Sequence, residues 1–301
     1  MNNLYCCKTC NSREITKIDS YKRFWILCHS CGDGWSIQKK QYPLSLLPIN
    51  DLRKQSGINE EKMYDYFTDK VHIDISREEG KEFIRTYMKD FKLNYKDKEI
   101  LDISGGNGYF INEIRKLGAK VSLTEINQKT IDHANLVHDF NIYNYNINKD
   151  NIEQILNNKF DIIFARACIM FCLDLNKFIR DLKKVLNKDG YIMINNSVIP
   201  TLGVILRTQV DEHSYFALRQ PQTIIDAFLE NGFSLEFRKD ETDQGLYVYD
   251  DDLIRIRKYL NKFYEMKGIK SLKNNRLYSW PARDRRRSTM LFRLNKNNED
   301  N

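Results

Sequence analysis

Two features are missing from this chain of 301 residues, and each closes off a class of protein. The opening residues, "MNNLYCCKTC", hold no basic stretch followed by an apolar run, so no secretory leader is read there. Nowhere does an apolar run approach the ~18 uninterrupted residues that a membrane span needs. The most apolar stretch, "FDIIFARACIMFCLDL", is broken by Arg166 and reads as a strand entering a buried loop. A soluble, cytoplasmic protein is expected. With 42% apolar, 12% aromatic and 30% charged residues the composition is that of an ordinary globular chain. The length leaves room for one large domain and a small accessory, each with its own core.

Against that background the cysteines stand out. There are seven, and five fall at positions 6, 7, 10, 28 and 31. Cys7-x-x-Cys10 and Cys28-x-x-Cys31 are two matched pairs separated by seventeen residues. A two-residue gap lets one tight turn present two thiolates, and two such turns supply the four ligands of a tetrahedral zinc ion. "EITKIDSYKRFWIL", between the pairs, is rich in β-branched and aromatic residues and reads as a hairpin. The layout is that of a zinc ribbon. Two disulfides are the alternative, disfavoured in a chain with no leader, and a redox dithiol needs only one pair. With four thiolates no ligand position is left for water, so the metal is expected to be structural. Cys6 fits only by breaking the two-residue gap, and His29 reads as a surface residue.

The net charge of +7 is local. Residues 265–296 carry ten Lys or Arg against Glu265 and Asp284, whereas residues 240–252 carry six acids and no base.

A second pattern begins at Ile100. "EILDI" reads as a short apolar strand, "SGGNG" as a glycine loop, and "YFINEIRKLG" as an amphipathic helix closed by Gly118. "KVSLTE" follows as a strand ending in Glu125, seventeen residues beyond Gly108. Strand, glycine turn, helix, strand and terminal acid make half of a dinucleotide-type unit, in which glycines admit a ligand to the backbone and the acid meets ribose hydroxyls. A nicotinamide cofactor and S-adenosylmethionine both suit such a unit. The first requires a third glycine within the helix, where the pyrophosphate sits on the helix dipole; Ile111 occupies that place. Asp102, four residues before Gly106, is instead positioned to face an ammonium, which S-adenosylmethionine carries. The pattern favours S-adenosylmethionine.

On these residues the stretch from 98 to about 238 resembles a class I S-adenosylmethionine-dependent methyltransferase. The family's acid-x-Gly-x-Gly-x-Gly motif is matched by Asp102-Ile103-Ser104-Gly105-Gly106-Asn107-Gly108. Ser104 replaces the first glycine; serine is small, but it does not allow a positive φ as cheaply as glycine does. The resemblance implies that Asp102, Ser104, Gly105, Gly106 and Gly108 line the cofactor and that Glu125 binds its ribose. Asn146 stands where the family usually places an aspartate near the adenine amine, and its carbonyl can still accept that hydrogen bond. "FDIIFARACIMFCLDLNKFIRDLKKVLNKDGYIMINN" is similar to the family's fourth strand, helix and fifth strand. The implied fold is α/β: a Rossmann-like class I methyltransferase sheet with helices on both faces, preceded by a small zinc ribbon. The implied division is a ribbon over 1–45, a helical linker and cofactor cap over 46–96, and the methyltransferase domain over 97–301.

The acceptor side is less marked. Many small-molecule members carry a Glu-His pair after the fourth strand; the corresponding positions here are Met170 and Phe171. The Asp/Asn-Pro-Pro-aromatic motif of exocyclic-amine methylation and the Pro-Cys dipeptide of pyrimidine chemistry are both absent, and Cys168 and Cys172 read as packing residues. Arg166 reads as a ligand for an anionic substrate or as the partner of a nearby acid. The helix "PQTIIDAFLENG" has Pro221 in its first turn and Gly232 past its end. Before it stand Asp211, Glu212, His213 and Tyr215. A similar His-x-aromatic segment occurs in methyltransferases acting on sugars, which points to His213 as general base and Tyr215 as substrate contact. A histidine that merely caps a loop is the competing reading. Positioning supplies most of the rate in methyl transfer, so activity does not hinge on a base.

The favoured acceptor is a small molecule or glycan, such as a nucleotide-linked sugar, methylated at a hydroxyl. An RNA base comes second, with "RDRRR" near Tyr278 and Trp280 as the phosphate-tracking and base-stacking surface. A non-catalytic S-adenosylmethionine-binding partner protein comes third. Against RNA, residues 1–40 carry only +4, and "RRSTMLFRLNK" also reads as the sheet's last strand, with its arginines merely flanking it.

Overall fold

The computed structural model of the chain describes residues 7, 10–19, 23–28, 30–31, 33–38, 68–196, 217–243 and 285–295. They fall in two compact units. One is built from Met1–Gly57, Asn196–Thr223 and Asp240–Ser288, the other from Ile58–Asn195, Ile224–Lys239 and Thr289–Asn301.

In the first unit β1 (Ile15–Asp19), β2 (Arg23–Cys28) and β3 (Gly34–Gln38) form an antiparallel meander. Ile15 faces Cys28 and Asp19 faces Phe24, the hairpin read from the β-branched and aromatic run between the cysteine pairs. A fourth strand is added from far along the chain: β9 (Ala217–Leu218) pairs antiparallel with β3, Gly34 facing Leu218 and Trp35 facing Ala217.

The second unit begins with α1 (Lys70–Phe91), and then alternates strand and helix. In chain order come β4 (Glu99–Ile103), α2 (Tyr109–Arg115), β5 (Lys120–Glu125), α3 (Gln128–Val137), β6 (Asn141–Asn144), α4 (Ile152–Ile155), β7 (Phe160–Arg166), α5 (Leu175–Val185) and β8 (Leu186–Asn196). After β9 follow α6 (Pro221–Glu230), β10 (Phe233–Asp243) and β11 (Arg285–Leu294). Asn127 and Asp174 cap α3 and α5 by accepting from the amides of Thr130 (3.0 Å) and Lys177 (2.9 Å). Pro221 opens α6 and Gly232, at φ +86°, follows its end.

The large sheet is mixed, in the order β10-β11-β8-β7-β4-β5-β6. The β6-β5-β4-β7-β8 pairings are all parallel. Beyond their first residues β4 and β5 are buried throughout, polar Asp102, Ser122, Thr124 and Glu125 included, because both of their faces are covered. Alternation sends Leu101, Ile103, Ile163 and Ala165 into the core shared with α5 and α6, and Ile100, Ile162 and Phe164 into the core shared with α1 and α2. Phe83, Tyr87 and Phe91, spaced by four along α1, form one stripe. Phe83 meets Phe110 at 5.4 Å and Phe164 at 5.3 Å, centroid to centroid. Among the described residues no helix is long and apolar enough to cross a membrane.

Strand order positions the site. The chain runs from β4 outward to β5 and β6, then returns to the other side of β4 for β7 and β8. The succession reverses between β4 and β7, and in open α/β sheets ligands bind outside the carboxyl ends of the strands at such a point.

Candidate functional site

Asp102 is the penultimate residue of β4, opposite Phe164 of β7, and Arg166 ends β7. Arg166 Nη2 stands 3.5 Å from Asp102 Oδ2, Nη1 stands 3.6 Å from Glu79, and the guanidinium lies over the Phe110 ring, 3.2 Å from its centroid. Of the two readings open for Arg166, pairing with a nearby acid is the one seen. Asp102 is fully buried, and burial pushes its carboxyl up to about 6; Arg166 pulls it down and Glu125 adds to the rise. One ion pair leaves this couple incompletely satisfied: Asp102 Oδ1 and Arg166 Nε are both buried without a hydrogen-bond partner in the protein. A ligand bearing an ammonium and a carboxylate would match those two atoms, which is the chemistry of the amino-acid end of S-adenosylmethionine.

The glycine loop follows. Ser104, Gly106 and Gly108 have φ of +55°, +61° and +77°, so all three alternate positions of the motif are left-handed, the serine included. Serine thus adopts the positive φ that it allows less cheaply than glycine. A non-glycine residue pays about 1–2 kcal/mol there, and the loop's amides are held firmly enough to impose it. Ser104 N–H donates to Thr124 Oγ1 (3.1 Å), Gly105 N–H to Thr124 O (3.0 Å) and Gly106 N–H to Glu125 Oε2 (3.2 Å).

Glu125 is buried at the end of β5. Its other oxygen accepts from the amides of Ile126 (2.7 Å) and Asn127 (3.0 Å), so one carboxylate ties the glycine loop to the turn that starts α3. Tyr145 N–H donates to Glu125 O at 3.0 Å, which sets Asn146 beside the same strand end. The Asn146 side-chain oxygen Oδ1 accepts from Asn148 N–H at 3.1 Å. Asp102, Ser104, Gly105, Gly106, Gly108, Glu125 and Asn146 are thus gathered at adjacent strand ends.

Sequence reasoning missed His138. Its Nε2 donates to Asn107 O at 3.0 Å, and a Cβ on Gly108 would come within 2.9 Å of its ring. Gly108 therefore makes room for a histidine as well as adopting a left-handed turn. The ring stacks on Phe140 and meets Tyr109 edge-on, and burial lowers its pKa against the Asn107 hydrogen bond, which raises it. No motif announces it: His138 caps the carboxyl end of α3, thirty residues from the loop it supports.

On the acceptor side Met170 is buried and Phe171 half-buried in a short 3-10 turn, whose Phe171 carbonyl accepts from Asn148 Nδ2 at 2.8 Å. Cys168 and Cys172 are buried, and burial pushes the Cys168 thiol well up, leaving it neutral. His213 and Tyr215 lie outside the described residues, as does the basic run before Arg285.

In the first unit the sulfurs of Cys7, Cys10, Cys28 and Cys31 all lie within 4.8 Å of one another. Cys7 and Cys31 are 3.5 Å apart, as are Cys10 and Cys28, far beyond a disulfide bond. Four bonds of ~2.3 Å to one tetrahedral ion place sulfurs ~3.8 Å apart, so the cluster fits such an ion. Two turns build it. Cys10 N–H donates to Cys7 Sγ (3.4 Å) in the first, and Cys28 N–H to Asp33 O (2.9 Å) closes the second. Burial first of all pushes the Cys10 thiol up to about 11, so an ion entering here must displace protons.

Residues 94–242 match the family described as a methyltransferase domain. The chain is 26% identical over 171 residues to the ubiquinone biosynthesis O-methyltransferase of Pelagibacter ubique, covering 50% of this chain and 69% of that protein. It is 27% identical over 128 residues to the ribosomal protein L11 methyltransferase of Dictyoglomus turgidum, covering 42% of this chain and only 40% of the relative. Among solved structures, magnesium protoporphyrin IX methyltransferase from Synechocystis PCC 6803 with bound SAH superposes with a TM-score of 0.51 at 11% identity. That match covers 82% of this chain and 100% of the other, and it is a likeness of fold.

Proposed function

Residues 94–242 are a class I S-adenosylmethionine-dependent methyltransferase domain, and we propose that they methylate a small-molecule or glycan-type acceptor at a hydroxyl. Asp102, Ser104, Gly105, Gly106, Gly108, Glu125 and Asn146 hold the cofactor. Asp102 takes its ammonium through the unpartnered Oδ1, and Glu125 takes the ribose hydroxyls. Tyr215 meets the acceptor, Arg166 from its pair with Asp102 offers its unpartnered Nε to an anionic group of cofactor or acceptor, and His213 removes the hydroxyl proton. Cys7, Cys10, Cys28 and Cys31 hold one structural zinc ion within a ribbon over 1–45. Residues 46–96 form a helical linker and cofactor cap, and 97–301 the methyltransferase domain. A cytoplasmic setting belongs to the same reading.

The observation that carries the choice of acceptor is the place of Arg285–Leu294 as β11, between β10 and β8. Three arginines of the basic run begin a sheet strand whose next residues, Ser288 to Phe292, are buried. This supports reading them as strand flanks rather than as a phosphate-tracking surface. The O-methyltransferase name of one relative agrees with a hydroxyl acceptor.

The test is transfer of a labelled methyl group from S-adenosylmethionine to a cell extract fractionated into small molecules, glycans, RNA and protein. Label is expected in the first two fractions. Label in RNA, lost on R285A with R286A, overturns the reading. With the acceptor in hand, His213→Ala should lower turnover by ~100-fold or more while cofactor affinity stays unchanged.

A further inference from the structure

Asp33 and Arg219 are buried to 0% and 1% exposure in the unit built from Met1–Gly57, Asn196–Thr223 and Asp240–Ser288. Charged side chains are withdrawn from water so completely only where partners are fixed around them. Asp33 follows Cys31 by two residues, and its backbone carbonyl closes the turn that presents Cys28. Its carboxylate leaves the ribbon. Oδ1 accepts from Gln220 N–H at 3.0 Å, and Oδ2 lies 4.0 Å from Arg219 Nε. The Arg219 carbonyl is held by Asn196 Nδ2 at 2.8 Å, and Thr223 Oγ1 donates to Cys31 O at 3.4 Å. β9 extends the ribbon sheet through β3 immediately before Arg219.

Apart from the Asn196 bond, these contacts join the second cysteine turn and the strand that follows it to one short stretch, residues 217–223. A zinc ribbon that merely folded on its own would spend neither a buried carboxylate nor a sheet edge on a segment some 190 residues away. We infer that the second cysteine turn is a clasp, with Asp33 and Arg219 as positioning residues that fix the chain at 217–223 and with metal at the four cysteines holding the clasp closed. The metal arm rests on the zinc reading above; the Asp33–Arg219 arm does not. The chemistry is that of a buried ion pair plus strand addition: the ion fixes Cys28 and Cys31, those fix the Asp33 turn, and the carboxylate fixes Arg219 and Gln220. His213 and Tyr215 immediately precede β9 in the chain, so the clasp fixes one end of the segment that carries the proposed base and substrate contact.

Hydrogen exchange by mass spectrometry on the full chain tests this, with zinc content measured in parallel. In Asp33→Ala and in Arg219→Ala the amides of 217–220 should exchange ~10-fold or more faster, with zinc content kept and the amides of β4 unchanged. Stripping the wild type with a chelator should release the same amides. Arg219→Ala lies outside the ribbon, so it decides the case if Asp33→Ala loses metal. Unchanged exchange at 217–220 in Arg219→Ala overturns the clasp. Release in the variants but continued protection in stripped wild type overturns the metal arm. Wild type purified without zinc sinks the zinc reading, and the Arg219→Ala comparison still judges the ion pair.

Discussion

Asp102 is a carboxylate that the fold holds at a cost, and the cost is readable as pH dependence. The group is fully buried, and burial raises its pKa from the ordinary 3.8 to about 6 even with Arg166 alongside. A folded-state pKa above the unfolded one means that the associated stability is fully present below the unfolded value and is lost as pH rises through the folded value. Two units at about 1.4 kcal/mol each set the loss at about 3 kcal/mol between pH 4 and pH 7. Asp102→Asn keeps the shape and removes the titration. Other groups titrate over the same range, so the readable quantity is the difference between variant and wild type. Urea unfolding at half-unit pH steps should show the variant gaining about 3 kcal/mol on the wild type as pH rises from 4 to 7, whatever the absolute curves do. S-adenosylmethionine, if its ammonium meets the ionised carboxylate, should bind the wild type more tightly as pH passes upward through 6, as read by calorimetry. A variant-to-wild-type difference that is flat in pH would refute the argument, since it would mean that Asp102 is not withdrawn from water.

Two further outcomes are expected. Metal analysis of purified protein should give one zinc ion per chain, and Cys28→Ser should lose it while circular dichroism of the larger unit stays intact; protein with no metal and an intact ribbon refutes the assignment. Gly108→Ala should destabilise by about 1–3 kcal/mol, from positive φ and from the 2.9 Å approach to the His138 ring. His138→Ala should recover the steric part, so a double-mutant cycle should show coupling of about 0.5–3 kcal/mol, and strict additivity would mean that ring and glycine do not touch.

Much of the fold was legible because local and global signals agree. "EILDI" and "KVSLTE", on either side of the glycine loop and its helix, read as strands, and they emerge as β4 and β5 with those bounds. α6 carries its own punctuation in Pro221 and Gly232. The pairing of β9 with β3 was not legible. Two residues have no periodicity, and their place is set by a carboxylate and a strand edge nearly two hundred positions earlier. The insertion of β11 between β10 and β8 is likewise a matter of long-range pairing; the sequence offers a strand pattern but nothing that names its neighbours.

The site shows the same division at the scale of single residues. Spacing alone gathers Asp102, the glycine loop and Glu125, because each is placed by the end of a strand or the start of a helix. What spacing cannot carry is which tertiary contacts override local preference. Ser104 is the instance: by propensity it avoids φ +55°, yet Thr124 receives both its amide and that of Gly105, and the Glu125 carboxylate receives that of Gly106. Three anchors along three consecutive residues outweigh about 1–2 kcal/mol of strain at one of them. The first glycine of the motif is dispensable here because the strand beside it supplies the constraint that the missing glycine would have made cheap.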